Sequence, residues 1–134
     1  MLLDGGCLCG GVRYRLEALA EDVVDYCHCG QCRKASGAPV TAWVQVPPSR
    51  FQITRGEARA YRSSERGTRW FCPDCGGTLH MTDPENRSVG VALGSLDDPA
   101  ALEPTVHGWT SAAVSWLHID DDLPRHTADP PYDL

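Results

Sequence analysis

Short runs of alternating apolar and polar residues dominate this chain, and most of them are the length of a β-strand. Val12-Arg13-Tyr14-Arg15-Leu16 places valine, tyrosine and leucine on one side and two arginines on the other, the period-two pattern of a half-buried strand. Val23 to Tyr26 predicts a second short strand. Val40, Ala42, Val44 and Val46 share one face of a third, which Pro47-Pro48 stops because proline cannot continue a hydrogen-bonded ladder. Phe51-Gln52-Ile53 and Ala58 to Arg62 flank Gly56 and predict a hairpin. Further strands are expected at Trp70-Phe71, Thr78 to Thr82, Ser88 to Leu93 and Thr105 to Trp109. Helical periodicity is confined to a turn after Cys32, through Arg33-Lys34-Ala35-Ser36 with Gly37 placed to end it, and to Asp98 to Leu102. The tail from Asp120 is acidic, then proline-rich, and is expected to be extended or loosely held. The predicted class is mainly β with little helix, in one domain spanning residues 1–134 with a core at about 6–124.

Composition narrows the function. The formal net charge is −6, with 12 basic residues against 18 acidic ones, and no basic block interrupts the sequence. Nucleic-acid binding draws most of its affinity from Lys and Arg at phosphates, so that class is disfavoured. No apolar run approaches the ~20 residues that cross a bilayer, so no membrane partner is expected. The opening Met1-Leu2-Leu3-Asp4-Gly5-Gly6-Cys7 lacks the basic-then-apolar form of a secretion signal, which points to the cytoplasm. Thiols there stay reduced, and seven cysteines could not close into disulfides in any case.

Metal binding explains the cysteines better. They fall into Cys7-Leu8-Cys9 beside Gly10-Gly11, Cys27-His28-Cys29-Gly30-Gln31-Cys32, and Cys72-Pro73-Asp74-Cys75 beside Gly76-Gly77. A structural zinc takes four ligands in a closed tetrahedron, whereas a catalytic zinc keeps three and leaves a position open. Pairing Cys7/Cys9 with Cys72/Cys75 closes one site and leaves Cys27/Cys29/Cys32 whole, while every other grouping strands single cysteines. Each group has a plainer reading: unligated pairs, a second structural zinc closed by a histidine, or a redox dithiol at Cys29/Cys32. The βαβ pattern expected around such a dithiol is missing. His28 lies between two candidate ligands and is expected to point away from them, and His80, His107, His118 and His126 read as surface or packing residues.

The stretches Gly6 to Tyr14, Cys27 to Gly37 and Phe71 to Gly76 strongly resemble the glutathione-dependent formaldehyde-activating enzyme (GFA) family, which includes centromere-protein-V-like proteins. The resemblance runs from about Gly6 to the Asp122-Leu123-Pro124 region. It implies a β-rich Mss4-like fold pinned by two Zn2+ ions, with Cys7, Cys9, Cys72 and Cys75 on the structural zinc and Cys27, Cys29 and Cys32 on the catalytic one. It also implies a carbon–sulfur lyase that joins glutathione and formaldehyde into S-hydroxymethylglutathione or runs the reverse, with a small-molecule thiol as partner. Arg33 and Lys34 read first as solvated helix charges and second as anchors for a substrate carboxylate. The competing class is a binding module in which both metals are structural. Neither the oligomeric state nor the natural thiol is written in these motifs.

Overall fold

The computed structural model describes residues 1–132, so the last two residues of the tail lie outside it. Ten strands make two sheets. A three-stranded antiparallel sheet has the order β1-β2-β5, from β1 (Leu2–Gly6), β2 (Arg13–Glu17) and β5 (Phe51–Arg55). A seven-stranded sheet takes β3 (Val24–Cys27), β4 (Thr41–Val46), β6 (Arg59–Ser64), β7 (Gly67–Phe71), β8 (Thr78–Thr82), β9 (Val89–Ala92) and β10 (Val106–Gly108) in the order β10-β3-β4-β9-β8-β7-β6. Every pair is antiparallel except β10 with β3. The mainly β class is what the alternating runs predicted.

The two faces of the large sheet have different roles, and its register shows how. Val44 lies opposite Val91 and Val46 opposite Val89, and these join Tyr14, Leu16 and Val24 in the main core under the small sheet. The intervening residues face the other way. Gln45, Gly90, Met81, Arg69 and Tyr61 lie opposite one another across five strands, next to a row holding Asp25, Trp43 and Ala92. Trp43, 4 % exposed, packs there with Cys27 and Cys32 in a second, smaller cluster. The alternation in β4 therefore separates a core face from a site face.

Three points differ from, or add to, what the pattern predicted. The hairpin across Gly56 does not form: β5 pairs with β2 and β6 pairs with β7, in different sheets. Gly56 sits at φ 72° with its backbone pressed onto the carbonyl of Gly11, a contact that leaves no room for a side chain and sends the chain from one sheet to the other. Phe51 stays behind and packs its ring 5.3 Å from that of Tyr14. β1 was not anticipated, because Leu2-Leu3-Asp4-Gly5-Gly6 does not alternate; its pairing with β2 supplies the order its sequence lacks. Finally, of the two forms expected for the tail the extended one is found, and it is docked on β10. Arg125 bridges to His107, the Trp109 and Thr110 N–H groups donate to the Ala128 and His126 carbonyls, and Pro130 is buried against Gly108.

The helical expectations hold with shifted bounds. α1 (Gly30–Ser36) starts before Cys32 and takes it into its first turn, and Gly37 ends it in the left-handed conformation at φ 75°. A single turn at Pro99–Ala101 is capped by Asp98, whose carboxylate accepts from the Ala100 N–H at 3.2 Å.

Candidate metal centres

The seven cysteines gather into two groups, Cys7/Cys9/Cys72/Cys75 and Cys27/Cys29/Cys32, with ligand atoms inside each group within 4.8 Å of one another. None forms a disulfide.

The four-cysteine group joins the two sheets. Cys7 and Cys9 occupy the turn between β1 and β2, and Cys72 and Cys75 the turn between β7 and β8. The turns are built alike. The Cys7 N–H donates to the Val12 carbonyl at 3.1 Å, and the Cys72 N–H to the Gly77 carbonyl at 3.0 Å. Gly11 donates to Cys9 Sγ and Gly77 to Cys75 Sγ, both at 3.4 Å. Val12 donates to Cys7 Sγ at 3.2 Å, while Asp74 and Cys75 donate to Cys72 Sγ at 3.4 and 3.5 Å. Backbone N–H groups aimed at sulfur stabilise thiolates, which are the form that binds metal. At Cys7 burial opposes the charge, but the Val12 N–H and the neighbouring sulfurs outweigh it and bring the thiol down to about 6.

Sulfur spacing tests the fit. A tetrahedron with Zn–S of ~2.3 Å has an S···S edge of ~3.8 Å. Cys7 and Cys9 are 3.6 Å apart, and Cys9 and Cys72 are 3.8 Å apart. The four sulfurs thus suit a tetrahedral thiophilic ion.

The three-cysteine group is set differently. Cys27 ends β3, Cys29 is the N-cap of α1 and accepts the Cys32 N–H at 3.3 Å, and Cys32 is buried on the helix beneath. Cys27 and Cys32 Sγ are 3.3 Å apart. Among the described residues no histidine or carboxylate joins them to make a fourth ligand. The Cys29 thiol is pulled down strongly, because the thiols of Cys27 and Cys32, and then the Cys32 N–H, stabilise its thiolate. These sulfurs open onto a cleft of about 2070 Å³ that also takes in Trp43, Arg69, Trp109 and Tyr132. The two turns and the helix thus produce one closed group and one with a free side.

The chain belongs to the GFA family. The family model, described as glutathione-dependent formaldehyde-activating enzyme, matches residues 2–112 and so includes both groups. A Halomonas elongata protein provisionally named a glutathione-dependent formaldehyde-activating enzyme is 28% identical over 132 residues, covering 93% of this chain and 70% of that one. Among solved structures, a Rhodobacter sphaeroides protein aligns with a TM-score of 0.59 and 27% identity, over 76% of this chain and 92% of the other.

The histidines divide between packing and surface positions: His28, His80 and His107 are buried, His126 is half-buried and His118 is exposed. His28 turns from the cysteines: its Nε2 is 2.8 Å from His107 Nδ1, and His107 Nε2 is 2.9 Å from Asp121. This chain ties the loop between Cys27 and Cys29 to β10 and the tail. Arg33 differs from its expectation. It is half-buried and held by the backbone, since Nη1 donates to the His28 carbonyl at 2.7 Å and the Ala112 carbonyl at 2.5 Å. Lys34 is exposed at the cleft rim.

Five residues of the site escaped the sequence reading. Trp43 supports the cysteines, with Nε1 donating to Thr41 Oγ1 at 2.8 Å. Asp25 is buried beside Cys27 on the same strand face and accepts from Tyr132 at 2.9 Å; burial raises its carboxyl to about 6. Tyr132 and Asp129, which accepts from Trp109 Nε1 at 2.7 Å, come from the tail, beyond the family match. Arg69 reaches Cys32 from β7. Its cue was the alternation Arg69-Trp70, which places the two on opposite faces but leaves open which face is solvent.

Proposed function

We propose that this chain is a zinc-dependent carbon–sulfur lyase acting on an adduct of formaldehyde with a small thiol such as glutathione. Cys7, Cys9, Cys72 and Cys75 hold a structural zinc, and Cys27, Cys29 and Cys32 hold a catalytic one in a single Mss4-like domain that works in the reducing cytoplasm. The reading is supported by one observation above all: the second sulfur group has three members and borders an open cleft. Family membership gives the formaldehyde and glutathione chemistry its starting point.

In the forward direction the thiol sulfur adds to the carbon of formaldehyde, a C–S bond forms, and the carbonyl oxygen takes up the proton to become a hydroxymethyl group. A bound zinc supplies thiol acidification, because a coordinated thiol loses its proton. The protein does the rest. Cys27 and Cys32 are fixed by the end of β3 and the first turn of α1, over the Trp43 ring. Rigid mounting of this kind lets proximity contribute much of the acceleration. The cleft far exceeds formaldehyde in size and has room for a peptide-sized thiol.

Exchange of 13C-formaldehyde with S-hydroxymethyl thiol, followed by magnetisation-transfer NMR over a panel of glutathione, cysteine and bacillithiol analogues, tests this. The wild type accelerates exchange for at least one thiol, and Cys29→Ser does not. If no thiol exchanges faster with the zinc-loaded protein than without it, the protein is a zinc-stabilised binding module instead.

A further inference from the structure

Arg69 is the only buried arginine or lysine among the described residues, with 8 % of its surface exposed. A guanidinium does not deprotonate in proteins, so burial cannot neutralise it, and it needs a negative partner. Six other arginines find carboxylates, Arg13 with Asp97, Arg15 with Asp4, Arg50 with Asp22, Arg66 with Asp129, Arg87 with Asp83 and Glu85, and Arg125 with Asp121, and the remaining four, Arg33, Arg55, Arg59 and Arg62, reach the surface. Arg69 has none. Its Nη1 and Nη2 lie 3.7 and 3.6 Å from Cys32 Sγ, and its Nε has no hydrogen-bond partner. The sheet makes room for this reach, because β9 presents only Gly90 and Ala92 on the face between β8 and β4.

We propose that Arg69 is the counter-ion of the three-cysteine site, placed so that the site can accept a fourth, anionic sulfur. This rests on the reading that the cysteines hold a divalent metal with one position open. Three thiolates and a divalent ion carry a net −1, which Arg69 cancels. A substrate thiolate then raises the total to −1 with the arginine, and would raise it to −2 without it. A neutral ligand in the same position adds no charge and gains little from Arg69. The residue is therefore a positioning group that favours anionic over neutral ligands. Interaction between unit charges about 6–8 Å apart, at an effective dielectric constant of about 20–30, corresponds to roughly ten- to a hundredfold in affinity.

Cobalt(II) loaded into the three-cysteine site gives a direct reading, since each thiolate ligand adds to its thiolate-to-metal charge-transfer absorption. Glutathione, 2-mercaptoethanol and neutral imidazole are titrated into the wild type, Arg69→Met and Arg69→Lys. The expected result is thiol binding by the wild type, weakening by ten- to a hundredfold in Arg69→Met, recovery to within about threefold in Arg69→Lys, and imidazole binding alike in all three. Equal thiol affinity in wild type and Arg69→Met, or equal loss of thiol and imidazole, overturns the counter-ion. So does failure of a folded Arg69→Lys to bind thiol, which also covers the case in which Arg69→Met does not fold. A wild type that takes up cobalt but no thiol refutes the open position itself, a result distinct from these.

Discussion

Replacing Cys75 with serine should unfasten the two sheets while leaving the packing of the core nearly unchanged. Cys7 and Cys72 are 8 % and 1 % exposed and belong to the main core, but Cys75 is only half-buried, and Cys75→Ser changes one atom at its edge. What is lost is the link. A metal shared by Cys9 and Cys72 closes a loop across a sequence separation of 63 residues. The chain-entropy relation for a cross-link of that length gives about 4 kcal/mol of stabilisation. That is the lower bound, because structural zinc binding in small domains contributes about 10–16 kcal/mol in total. Set against a whole-domain stability of about 5–15 kcal/mol, loss of the link alone lowers the melting temperature by roughly 10–25 °C, and loss of the full binding energy unfolds the chain. Circular dichroism melts of wild type, Cys75→Ser and chelator-treated wild type, each with metal content by elemental analysis, measure it. A variant that has lost one zinc per chain yet melts within about 3 °C of the wild type would refute the reasoning.

Other substitutions separate the roles further. Cys29→Ser removes a ligand but keeps an N-cap oxygen for the Cys32 N–H, so the far-ultraviolet spectrum is retained, metal falls from two per chain to one, and exchange activity disappears; Cys29→Ala should melt lower than Cys29→Ser by the equivalent of about 1 kcal/mol. His80 is held neutral by burial, its folded value lowered from 6.5 to about 4. The unfolded chain takes up a proton there between those values and the folded chain does not, so stability falls as pH drops from 6.5 to 4, by up to about 3 kcal/mol. His80→Phe, beside Phe51 and Trp70, removes that contribution; urea titrations at pH 7 and 4.5 should show a smaller loss for the variant, and equal losses would contradict the assignment.

Most strands were legible because they are short and alternate, and the two cysteine groups because cysteine spacing is local. Val44 and Val46 identify their face without knowing their neighbours. Strand partners were not legible. Phe51 to Ile53 and Ala58 to Arg62 both alternate, but the turn between them is decided by the contact of Gly56 with Gly11, far away in the chain. β1 owes its form to pairing with β2, and the docked tail to the edge position of β10 in its sheet. The cleft needed the register of five strands: nothing near Arg69 in sequence shows that it faces Cys32, because the contact spans 37 residues.

Zinc K-edge absorption on the fully loaded wild type, with and without a thiol, reaches the difference between the two centres most directly. One zinc held by four sulfurs and one by three predicts two metals per chain and a mean of about 3.5 sulfurs per zinc, rising toward 4 when thiol is added. One zinc per chain, or a mean unchanged by any thiol, would contradict it.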